Sequence, residues 1–86
     1  MKDINVIKAL NKFRDIGFKV SDDDKYISLL KSDYRGKRSI LIALKRKAVI
    51  FRSHDSTSTS VDLEELDLLF NLLVSLKWSF YEVRTC

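Results

Sequence analysis

The chain has 86 residues, 45% of them hydrophobic, and a formal net charge of +4 at pH 7. That length holds one domain, residues 1–86, with a modest core, and the hydrophobic share excludes a disordered chain. A lone cysteine at the last position, Cys86, excludes an internal disulfide framework.

Residues 3–16 read as a helix, with Ile4, Ile7, Leu10 and Phe13 on one broad face and Val6 and Ile16 at its margins. Asp3 is placed to cap its start, and Gly17 to take the left-handed position just past its end, with Phe18 making the hydrophobic contact that follows. Strands are predicted at Tyr26–Lys31, Ser39–Lys45 and Ala48–Ser53, where isoleucine, valine and aromatic residues dominate. A short fourth strand is expected at Phe18–Val20. The turn Ser32–Lys37 carries Gly36, and Lys45-Arg46-Lys47 links two antiparallel strands as a basic hairpin tip. The run Ile40–Leu44 is apolar on both faces, which predicts a central strand whose second face is also covered, by another element or a second subunit.

His54–Ser60 is a short polar stretch that reads as a loop. A long helix is predicted from Ser60 or Asp62 to about Leu76 or Lys77, with Asp62 and Glu65 at capping-box spacing. Its polar stripe, Glu64, Asp67, Asn71 and Ser75, is narrow, and leucines cover the rest. Phe80–Val83 is a possible last strand. The expected fold is α+β: an N-terminal helix, an antiparallel sheet of three to four strands, and a long C-terminal helix packed on the sheet. The stretch 61–78 carries too many polar residues for a membrane span, and no leader pattern opens the chain, so the expected location is the cytoplasm, or a host's cytoplasm for a phage-encoded protein.

Chemistry-bearing clusters are sparse. His54 is the sole histidine and has neither a second histidine nor an internal cysteine to make a metal set, so no metal site and no cofactor are expected. Asp22-Asp23-Asp24 lacks the spacing and glycine of a calcium loop and reads as a solvated turn. Asp62, Glu64, Glu65 and Asp67 suit the first turn of a helix, where carboxylates meet its positive end. Two isolated glycines make no phosphate loop. A non-enzymatic binding protein is therefore expected.

Charge is segregated. Residues 31–52 carry a net +7, whereas residues 55–70 carry −5. Cations track a phosphate backbone and aromatic rings stack on unpaired bases. The candidate binding residues are accordingly Tyr26, Tyr34, Arg35, Lys37, Arg38, Lys45, Arg46, Lys47 and Arg52, facing a nucleic acid or an acidic protein surface. The bland alternative is a solvated sheet edge protected by lysines. The wide apolar surface of the last helix, at Leu69, Phe70, Leu73, Leu76 and Trp78, is the candidate homodimer interface.

The order Tyr26-Ile27-Ser28, Tyr34-Arg35-Gly36-Lys37, Ile40-Leu41-Ile42 and a closing helix, over residues 26–77, resembles the transcriptional coactivators called positive cofactor four. The resemblance implies a dimer that binds single-stranded DNA on its sheet, with Tyr26, Tyr34, Lys37 and Arg38 as contacts. A second analogy, on size and general shape alone, is to phage and mobile-element inhibitors such as anti-CRISPR proteins, which bind and block a host protein.

Overall fold

The computed structural model describes residues 3–34, 36–54 and 61–78. Helix α1 spans Ile4–Asp15, followed by strands β1 (Lys19–Asp22), β2 (Tyr26–Asp33), β3 (Gly36–Ala43) and β4 (Ala48–Ser53), and helix α2 (Leu63–Ser75). The strands form one antiparallel meander in the order β1-β2-β3-β4. Both helices cover the same face of the sheet, since Val6, Leu10 and Phe13 of α1 and Leu69, Leu72 and Leu73 of α2 share one core with Ile27, Leu29, Ile40 and Ile42. The α+β expectation holds, with four strands. The C-terminal helix is 13 residues, not long, and stops at Ser75. The expected strand at Phe80–Val83 and most of the polar loop, residues 55–60, lie outside the described residues. Among the described residues no helix is long and apolar enough to cross a membrane.

Local chemistry explains where each element begins and ends. The Asp3 side chain accepts the Asn5 N–H at 2.7 Å and so satisfies one of the free donors at the start of α1. At its other end Gly17 takes φ +101°, its N–H donates to the Arg14 carbonyl, and the Phe18 N–H donates to the Phe13 carbonyl. That is a Schellman closure, and its hydrophobic contact is the edge-to-face pair of Phe13 and Phe18 at 5.2 Å. Gly36, also at positive φ, opens β3 immediately after the Asp33–Gly36 pair closes the hairpin. Asp23 accepts the N–H groups of both Lys25 and Tyr26 at 2.8 Å, so the acidic triplet is a turn that aims the chain into β2.

Alternation along the strands separates two faces. Ile27, Leu29, Arg38, Ile40, Ile42 and Val49 point to the helices; Tyr26, Ser28, Leu30, Lys37, Ser39, Leu41, Ile50 and Arg52 point away, as does Lys19 on β1. β3 is central, as its composition predicts. Its second face, however, meets a shallow basin of half-buried aliphatic and serine side chains.

The proposed interface residues of α2 need correction. Leu69 and Leu73 lie in the core, and Leu76 and Trp78 pack against it. The apolar stripe that does face outward is Leu63, Leu66, Phe70 and Val74, with Phe70 alone common to both sets. The helical period decides this. Glu65, Leu69, Leu72 and Leu73 define the buried arc, and a stripe spaced three and four residues apart falls on the adjacent arc.

Candidate nucleic-acid interface

The register that builds the sheet also distributes the basic segment between its faces. Arg38 is only 5% exposed and lies inward. Its guanidinium donates to both carboxylate oxygens of Glu65, at 3.0 and 3.1 Å, and to Asp33 at 3.0 Å. Lys31 also lies on the helix side, 3.4 Å from Glu65 and 5.3 Å above the Phe18 ring. Glu65 in turn accepts the Asp62 N–H at 3.2 Å, so one side chain serves as both capping-box acid and buried counter-ion. Burial pushes the Glu65 carboxyl up, but hydrogen bonds from Arg38, the Asp62 backbone and Lys31, together with the Arg38 charge, hold it below the usual carboxylate range. Arg38 is thus a structural cation that ties β3 to α2, and it leaves the set of surface contacts.

The remaining bases gather at the two ends of the open face. At one end, Tyr26 opens β2 beside the β3–β4 turn, residues 44–47. A hollow of about 550 Å³ there is lined by Asp24, Lys25, Tyr26, Leu44, Lys45 and Arg46. Tyr26 is 43% exposed and offers its ring to this hollow among three cations. Lys47 stands in the same turn at φ 55° and does not line the hollow. At the other end are Tyr34, 92% exposed in the β2–β3 turn, and Lys37 and Arg52 on the open face. Arg35 lies outside the described residues. Tyr26 and Tyr34 therefore mark opposite ends of β2, roughly 25 Å apart at ~3.3 Å per residue.

A second hollow, of about 290 Å³, occupies the sheet face between the ends. Leu30, Leu41 and Ile50 form an aliphatic floor, and Ser28, Ser39, Arg52 and His54 complete the lining. Ser39 Oγ and His54 Nε2 are 3.2 Å apart. The His54 N–H donates to the Lys37 carbonyl at 2.9 Å and continues the β4 ladder one residue past its end. Among the described residues no carboxylate lines this hollow. A nucleophilic serine needs its base held by a third group, and the described lining residues include none. The described residues likewise bring together no three of histidine, cysteine, aspartate and glutamate as a metal set would require.

Sequence reasoning did not find Lys19, Lys25, Ser39 or His54 as members of this surface. Lys19 and Lys25 lie outside the segment of highest charge, and Ser39 meets His54 only through strand pairing. No family model, no curated protein and no solved structure matches the chain.

Proposed function

We propose that the protein binds single-stranded nucleic acid, DNA or RNA, across the open face of its sheet. The observation that carries this reading is the bracketing of one sheet face, uncovered among the described residues, by bases at both ends, with Tyr26 lining a hollow together with Lys25, Lys45 and Arg46 and the single acid Asp24. Phosphates track the cations while a base stacks on Tyr26. The resemblance of residues 26–77 to positive cofactor four proteins supports the same assignment. Fluorescence anisotropy with labelled oligothymidylate tests it: Tyr26→Ala combined with Lys45→Ala and Arg46→Ala is expected to weaken binding at least tenfold. Unchanged affinity in that variant would remove the hollow from the site.

A second reading uses the same surface. Its floor is aliphatic, and among the described residues Tyr26 is the aromatic side chain on this face. An acidic protein surface with an apolar tip also fits such a basin, as in an inhibitor that blocks a host protein. Stoichiometric capture of a protein that oligonucleotides fail to displace would favour this reading over the first.

The outward stripe of α2 is proposed to pair with a second copy. Leu63, Leu66, Phe70 and Val74 supply its exposed apolar contact area. β4, an edge strand carrying Val49-Ile50-Phe51, offers a ladder for the same pairing.

A further inference from the structure

The Ser39–His54 contact changes character when the imidazole takes up a proton. A neutral imidazole nitrogen either accepts the serine proton or donates its own, according to tautomer. A protonated imidazole only donates. The Ser39 oxygen must then accept from His54, and its own proton turns toward whatever occupies the hollow. Protonation therefore adds a positive charge to the lining of this hollow and frees the Ser39 proton to donate into it. Arg52, the cross-strand neighbour of Ser39, adds a fixed positive charge on the same lining.

Among the described residues, the polar groups around His54 suit an anion. From β3 come Ser39 and, on the same face, Lys37; from β4 comes Arg52; β2 contributes Ser28 and Leu30. None of these is an acid. Asp55 follows in sequence and lies outside the described residues.

We infer that Ser39, Arg52 and His54 form a seat for a phosphate oxyanion whose affinity rises as His54 becomes protonated. The inference deepens the proposed function and rests on it only for the source of the phosphate, a nucleic-acid backbone rather than a free anion. Chemistry at the seat requires no more than hydrogen bonds and charge. One added unit charge about 4 Å from the anion, in water-like surroundings, corresponds to roughly a fivefold gain in affinity.

The test uses two probes whose charge is constant across the range, sulfate and an oligothymidylate, at about pH 5.5 and about pH 8. Imidazole NMR signals of the full chain report occupancy. Both probes are expected to shift the His54 signals saturably and to bind about fivefold tighter at the lower pH. His54→Gln, which keeps a hydrogen-bonding side chain but does not titrate, is expected to bind equally at both pH values. Arg52→Gln is expected to weaken binding at both. Oligothymidylate binding that leaves His54 unmoved, or a pH gain that survives in His54→Gln, would overturn the seat and leave the nucleic-acid reading intact. Sulfate binding with the expected pH gain, without oligothymidylate binding, would keep the seat and overturn that reading.

Discussion

Arg38 and Glu65 illustrate how one pair of side chains fixes the relation between sheet and helix. Each is almost wholly withdrawn from water, and each is the main partner of the other. Removing one partner from a buried pair strands the other, at a cost of about 3–5 kcal/mol, a large part of the stability of a domain this size. Arg38→Met is therefore expected to lower unfolding free energy by about that amount in urea titrations, and adding Glu65→Leu is expected to restore much of it. A loss in the double variant equal to the sum of the two single losses would show that the pair is not coupled. The sign of the pH response follows from the depressed Glu65 pKa. The unfolded chain holds the proton more tightly, so the contribution is complete above the ordinary glutamate value and is lost as pH falls through the lowered folded value. Thermal midpoints should drop on acidification below about pH 4.5, and less so in Glu65→Gln. The inward placement of Arg38 was legible in its alternation with Ile40 and Ile42, and that of Glu65 in its helical spacing from Leu69 and Leu72. Charge type outweighed periodicity in assigning Arg38 to the surface.

At the scale of elements, the two helix ends use the same closure with different residues. After α2, Lys77 holds φ 64°, its N–H donates to the Val74 carbonyl, and the Trp78 N–H donates to the Leu73 carbonyl. A side chain in the left-handed region costs about 1–2 kcal/mol, which glycine partly relieves at the expense of unfolded-state entropy. Lys77→Gly is expected to stabilise the protein by about 0.5–1 kcal/mol in denaturant titrations; destabilisation would mean that Lys77 contributes contacts outweighing its strain. Gly17 and Phe18 were readable in advance because glycine identity and the following aromatic are both local signals. The Ser39–His54 contact was not. A three-residue link at residues 45–47 pairs Leu44 with Ala48, whereas the turn holds four residues and pairs Ala43 with Ala48. That single step exchanges the faces of every residue across the ladder, and with it the neighbours of Ser39. For α2, Phe70→Glu is expected to halve the mass seen by light scattering if the outward stripe joins two copies. A monomeric wild type at high protein concentration would contradict the pairing.

Across the whole molecule, one face of the sheet is committed to the core and the other carries no helix among the described residues. The helices, the Arg38–Glu65 pair and the aliphatic residues of the inner face make a rigid support. The outer face collects Lys19, Lys37 and Arg52, with Lys25, Lys45 and Arg46 gathered at one end, while Lys31 and Arg38 of the same basic segment are consumed inside. The fold class was legible because helical and strand periods alternate clearly along the chain. The composition of the candidate surface was legible only in part, because a net charge of +7 over residues 31–52 does not say which bases turn inward. The most direct measurement is the affinity of the full chain for oligothymidylate and for a duplex of the same length across a salt series. Three to five phosphate contacts predict a logarithmic salt slope of about −2 to −4 for the single strand, with the duplex bound more weakly because its bases are not free to stack on Tyr26. Absent or salt-independent binding would contradict the assignment of the open face to nucleic acid.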